Sequence, residues 1–186
     1  IQAKSGSIQI SRVINGVLEP HDLAGVGALL QQEAPAGDGI LVGNHYIIAA
    51  IAEARLPNRY ELDRWLPGRK VAIYSMDLHS GSYSTPMLES LGLLESCPDG
   101  ILTGADFEFN QGKVADQIAQ TRGAADFARG VAAFCNEAAA YGVTCLCALD
   151  GNEDSPDDAP TLALAACAGQ FPLAVRLFVQ YTDIER

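Results

Sequence analysis

The stretch Lys70-Val-Ala-Ile-Tyr-Ser-Met-Asp-Leu-His-Ser-Gly-Ser-Tyr-Ser-Thr-Pro-Met-Leu-Glu-Ser-Leu-Gly-Leu93 decides how the chain is read. Its apolar, β-branched opening, Val71–Tyr74, reads as a buried strand. A polar segment with Asp77 and His79 follows. Thr85–Pro86 then marks a helix start, with proline at the first helical position and a hydroxyl just before it. Met87, Leu88 and Leu91 share one helical face, and Gly92 is placed to end the helix. A strand, polar loop and helix in this order set the polar side chains at the C-terminal end of a strand, where α/β proteins gather ligand-handling groups.

Outward from this unit, short apolar runs alternate with helical patterns. On the N-terminal side, Ile8–Val13 alternates like a strand, and Asn15–Gly16 is a turn signal. Asp22 is a helix cap before Leu23, Val26, Leu29 and Leu30, which share a face through about Glu33. Ala34–Gly39 reads as a loop and Ile40–Val42 as a short strand ending at Gly43–Asn44–His45. Tyr46–Arg55 reads as a buried helix. Asn58 opens a second helix over Arg59–Trp65, closed by Pro67–Gly68.

On the C-terminal side, Cys97–Gly104 reads as a loop. Ala105–Asn110 alternates Phe107 and Phe109 against Asp106 and Glu108, and so reads as a half-exposed strand. The clearest helix is Gly123–Tyr141, where Phe127, Val131, Phe134, Cys135 and Ala138 recur at helical spacing and Gly142 is the cap. Val143–Leu149 is a buried strand, Asp158 or Thr161 starts a small-residue helix to Ala168, and Leu173–Tyr181 is the last strand. The expectation is one α/β domain with a largely parallel or mixed sheet of about four to six strands flanked by helices. Residues 1–34 have no firm place in that scheme. Residues 35–122 form its middle, and 123–186 form a helix–strand–helix–strand end.

Composition narrows the function. At 186 residues and 48% hydrophobic, the chain can bury a substantial core. A net charge of −11, with 12 scattered Lys and Arg, argues against nucleic acid, whose phosphates need clustered cations. The longest apolar run, Tyr46–Ala52, falls far short of the roughly 20 residues that span a bilayer, so no membrane partner is expected. The N-terminus has no signal-like core and does not begin with methionine, which reads as an internal starting point. Five cysteines, odd in number and without framework spacing, suit reduced thiols in the cytoplasm. Cys145 and Cys147 point to one face of a strand, with no second pair or His to complete a zinc site.

The usual chemical motifs fail on inspection. Asp150, Asn152 and Asp154 match the first three calcium-loop positions, but Ser155 stands where glycine is needed and Thr161 where a bidentate Glu is needed. No Gly-x-Gly-x-x-Gly, Walker loop or Gly-x-Ser-x-Gly elbow occurs. The histidines, His21, His45 and His79, form no His-x-His or His-Glu-x-x-His. His45 ends a strand beside Asn44, and on one sheet edge it would share a cleft with Asp77 and His79, enough for substrate contact or proton transfer.

The order of segments is more specific than any one of them. The opening stretch resembles the (R)SxDGHSxWxNSxAL…GI signature of the YtcJ-like branch of the amidohydrolase superfamily, also called amidohydrolase family 3 or exoenzyme regulatory protein. Asp77, His79 and Ser80 match its Asp-x-His-Ser. Ser84 stands on its Asn, Thr85 on its Ser, Leu88 on its Leu and Gly92–Leu93 on its Gly-Ile. Pro57, Arg59, Leu62 and Asp63 match the family's P-T-R-x-x-L-D, and Tyr141–Asp150 resembles a strand entering the barrel. Leu173–Leu177 resembles the next one.

The likeness covers roughly residues 35–186. It implies a piece of a TIM-barrel metal-dependent hydrolase: the insertion between the first two barrel strands and the start of the barrel. It also implies a divalent, zinc-like metal in the parent and a small-molecule substrate touched by Asp77, His79, Ser84 and His45. No metal ligand and no catalytic residue is expected in this chain, which on this reading is inactive alone. Leu78 in place of Gly and Ser84 in place of Asn depart from the pattern. A non-enzymatic ligand-binding or regulatory domain is the alternative. Barrel strands without their neighbours would expose open edges, so the chain is expected to fold them into a compact sheet or to pair with a second copy as a homodimer.

Overall fold

A computed structural model describes residues 7–121, 124–152 and 168–180. The chain divides into two compact units at residues 118/119. In the first, five strands lie in the order β1 (Ser7–Gln9), β4 (Leu41–Tyr46), β5 (Val71–Ser75), β6 (Ser80–Tyr83) and β7 (Ile101–Thr103). The sheet is mixed: β1, β4 and β5 run parallel, while β5–β6 and β6–β7 are antiparallel. A small antiparallel hairpin, β2 (Arg12–Ile14) with β3 (Val17–Glu19), turns at Asn15–Gly16. Both turn residues have positive φ, as that dipeptide allows.

Helices cover both sheet faces. Val71 and Ile73 of β5 join Ile8, Ile10 and Leu41 in a core with α1 (Leu23–Glu33) and α2 (Arg59–Trp65). The alternate residues Ala72 and Tyr74 join Tyr83, Met87, Leu88, Phe107 and Val114 against α3 (Thr85–Leu91) and α4 (Gly104–Thr121). Both faces of β5 are therefore buried, which is why Val71–Tyr74 is an unbroken apolar run. Three of the caps read from sequence hold, whereas α3 starts at Thr85 itself, after Ser84, with no side-chain cap bond. Asp22 accepts from the Gly25 amide at 2.7 Å, Asn58 and Glu61 form a reciprocal capping box, and Gly92 ends α3 at φ 71.

Four expectations need correction. Ala105–Asn110 is not a strand but the start of α4. Phe107, Asn110 and Val114 are buried at helical spacing, while Phe109 is 68% exposed, so the Phe alternation was coincidental. Tyr46–Arg55 is not a helix: Tyr46 ends β4, a 3-10 turn covers Ile48–Ala50, and Ala54 takes a left-handed conformation at φ 49. The polar segment after β5 is not a loop leading to a helix, because it folds back as β6, the central strand of an antiparallel trio. The loop assigned to Cys97–Gly104 likewise contains β7.

In the second unit, α5 (Ala124–Ala140) packs Val131 and Cys135 against Leu173, Leu146 and Val175. Gly142 follows it at φ 83. The strands β8 (Cys145–Asn152) and β9 (Ala174–Gln180) run parallel, with Leu146 opposite Val175. The small-residue helix expected to end at Ala168 lies outside the described residues, apart from Ala168 itself, which opens a 3-10 turn to Gln170. Asp154, Ser155 and Thr161 of the calcium-loop comparison also lie outside them.

Candidate functional site

The C-terminal ends of β4 and β5 form one edge of the five-stranded sheet. At β4, His45 takes φ 56, and the pairing with β5 shifts register between Gly43 and Tyr46. This bulge returns Tyr46 to the core that holds Leu41, where its hydroxyl donates to Arg55 O at 2.6 Å. His45 is left exposed. Bulges of this kind re-aim side chains near sites. The imidazole Nδ1 lies 3.1 Å from Asn44 Oδ1, and Asn44 Nδ2 donates to Ser7 Oγ at 3.1 Å.

On the neighbouring strand the chain leaves β5 through a tight turn over 76–79. The Met76 amide donates to Tyr46 O at 2.9 Å, tying the turn to the end of β4. Ser75, itself buried, donates its hydroxyl to Asp77 Oδ1 at 2.5 Å and accepts from the Ser80 amide at 3.2 Å. The His79 amide donates to the same carboxylate oxygen at 3.1 Å. The Ser75 hydroxyl first, and then the His79 amide, hold the Asp77 carboxyl below its ordinary pKa, because both bonds favour the charged form. Leu78 completes the turn at φ 57. His79 is exposed, with Nδ1 3.4 Å from Glu108 Oε1 on α4.

The structure thus brings His45, Asp77 and His79 to the same edge on adjacent strands. Ser84 lies elsewhere. It follows β6 and is fully buried at the opposite end of β5, where its hydroxyl accepts from the Val71 amide at 2.9 Å and donates to Arg69 O at 2.8 Å. The other motif residues also serve the scaffold. Asp63 accepts from both the amide (2.9 Å) and the hydroxyl (2.5 Å) of Thr85, so two segments 22 residues apart meet at the start of α3. Pro57 O accepts from the buried Ser82 hydroxyl, and Leu62 is core. Sequence reasoning missed Glu108 as a neighbour of this edge, because a strand over Ala105–Asn110 would have placed it otherwise. The signal that finds it is the helical spacing of Phe107 and Val114.

Among the described residues, no group of three or more His, Cys, Asp or Glu could hold a metal ion. His45 and His79 are exposed; the neighbour of the His45 imidazole is the Asn44 amide oxygen, and that of the His79 imidazole is the Glu108 carboxylate. The described residues do not fit a metal centre.

The pattern matches the amidohydrolase family over residues 14–185. The chain belongs to the amidohydrolase family. Two solved structures share its fold, both uncharacterized metal-dependent hydrolases. The one from Pyrococcus horikoshii OT3 is 19% identical with a TM-score of 0.57, the alignment covering 87% of this chain and 31% of that one. The one from Pyrococcus furiosus is 16% identical with a TM-score of 0.58, covering 87% and 32%. The chain therefore spans about a third of the length of the solved structures it matches. Among curated proteins, none matches it. No helix among the described residues is long and apolar enough to cross a membrane.

Proposed function

We propose that this chain supplies part of the substrate-pocket wall of a metal-dependent amidohydrolase of the YtcJ-like branch. The observation that carries the reading is the edge itself. A left-handed bulge turns His45 outward, and a turn tied by Ser75 presents Asp77 and His79 beside it, in a chain that belongs to the family. A divalent, zinc-like metal held elsewhere in the whole enzyme would supply the activated water for hydrolysis of a C–N bond in a small molecule. On this reading its ligands come from parts of the enzyme outside this chain, and the chain alone is expected to be inactive. Coverage of about a third of the matched structures supports this fragment reading. The setting is the cytoplasm, consistent with the free cysteines among the described residues. In isolation, the outer edges of β8 and β9 are the surface for pairing with a second copy.

The test is to incubate the purified chain with zinc or manganese and a panel of amide substrates. No turnover above metal alone is expected, and turnover would overturn the fragment reading. In the full-length enzyme, encoded with its flanking sequence, His79→Ala is expected to raise KM about tenfold, the loss of one good hydrogen bond. An unchanged KM would remove His79 from the pocket wall.

A further inference from the structure

We infer that Glu108 is the positioning partner of His79, the two forming a carboxylate–imidazole pair that turns Nε2 outward to accept an N–H from a ligand. The inference rests on reading the 76–79 turn as pocket wall. His79 is unusually well held for an exposed turn residue. Its amide donates to Asp77 Oδ1 at 3.1 Å, and its carbonyl accepts from the amide of Gly104, the first residue of α4, at 2.9 Å. One helical turn further on, Glu108 Oε1 stands 3.4 Å from Nδ1. That separation is an ion-pair distance, longer than a closed hydrogen bond, as is common for site contacts that tighten on binding.

The placement of Glu108 is set by the core. Its neighbour Phe107 is fully buried, edge-on to Tyr74 with ring centroids 5.4 Å apart. Phe107 also presses on Gly81 of β6, where a Cβ would come within 2.6 Å of the ring. Only glycine lets α4 approach β6 this closely, and the locked ring fixes the rotation of the helix that carries Glu108. A pair this exposed adds little to stability, so its consequence is orientation. An Nδ1–H turned to the carboxylate would leave the lone pair of the neutral imidazole free at Nε2. In the same turn, Met76 and Leu78 are 59% and 49% exposed, and Phe109 follows Glu108 on the helix. The arrangement suits an amide or amine N–H borne by an apolar group.

The test reads the His79 tautomer directly, by long-range proton–nitrogen correlation of the imidazoles in the intact chain at about pH 8, above the ordinary histidine range. The His79 signals are assigned with His79→Asn. The expected result is a dominant Nδ1–H form in the native chain, the reverse of the Nε2–H form that free imidazole favours. In Glu108→Ala, Nε2–H should become dominant, whereas Glu108→Gln, whose amide oxygen still accepts, should retain much of the native form. A native His79 already in the Nε2–H form, or a tautomer unchanged in Glu108→Ala, would overturn the inference. Alanine favours helix, so α4 should persist. The native measurement decides even if a variant misfolds. Because no ligand enters the measurement, this result is separable from the pocket-wall reading, which fails instead on an unchanged KM in full-length His79→Ala.

Discussion

Ser75 shows how one hydroxyl shapes a turn. It is buried at the end of β5, yet it reaches the exposed Asp77 carboxylate and the Ser80 amide, closing the turn that carries His79. A carboxyl held low stays ionised to lower pH than a free one. Whatever the bonded carboxylate adds to the turn is present above the unfolded Asp value and is lost as pH falls through the depressed folded value. A carbon-13 titration should therefore place the Asp77 midpoint below 3.8, and Ser75→Ala should move it up towards 3.8. A native midpoint at or above that value would contradict the bond. Ser84 is a second hydroxyl with a different task. Ser84→Ala leaves the Val71 amide buried without its acceptor, and should cost about 1–3 kcal/mol in denaturant unfolding. Asp63→Ala strips the Thr85 amide and hydroxyl of their shared acceptor, and should cost about 0.5–2 kcal/mol by the same measurement.

At the scale of elements, α4 separates two readings of one short sequence. A strand would expose both phenylalanines or bury both on one face, because residues two apart in a strand point the same way. The helix buries Phe107 and leaves Phe109 outside, where Lys113 one turn on lies 4.4 Å from its ring centroid. Phe107→Ala should cost about 3–5 kcal/mol and Phe109→Ala no more than about 0.5 to 1. Equal losses would restore the strand. Glycine contributes at the junction of β6, β7 and α2. Gly100 has φ 81, and a Cβ there would lie 2.6 Å from Tyr83 O and 2.7 Å from Arg59 Cβ. Gly68 has φ 72 but nothing within 4 Å. Gly68→Ala should carry only the backbone strain of about 1–2 kcal/mol, and Gly100→Ala distinctly more. Comparable unfolding midpoints would mean that the close approach at Gly100 relaxes freely.

At the scale of the whole molecule, the two units differ in how completely their strands are buried. β5 is buried on both faces between four helices, whereas β8 and β9 pack one face on α5 and leave Cys145, Cys147, Arg176 and Phe178 exposed. Hydrogen exchange should accordingly be slowest in β4 and β5 and markedly faster in β8 and β9, since local opening is cheapest where few apolar contacts must be broken. The reverse order, read by mass spectrometry on the native chain, would show that the second unit is the better-stabilised one.

What the sequence by itself determined were features encoded within one turn or one strand. Asp22, Asn58 and Gly92 cap their helices through bonds to residues two to four away, Asn15–Gly16 turns a hairpin, and the unbroken run of β5 reports burial on both faces. The parallel pairing of β8 with β9 was legible for the same reason, since a strand of each kind brackets a helix-length segment. The family likeness lay in the order of such segments. Only the tertiary structure decided that Ser80–Tyr83 is a central strand, because Ser-Gly-Ser-Tyr has no apolar period and owes its burial to partners on β5, β7 and α4. It also decided that His45 faces outward, through a bulge that follows from pairing β4 with β5, and that Glu108 stands beside His79. Those placements depend on contacts across tens of residues, which no local pattern of side chains records.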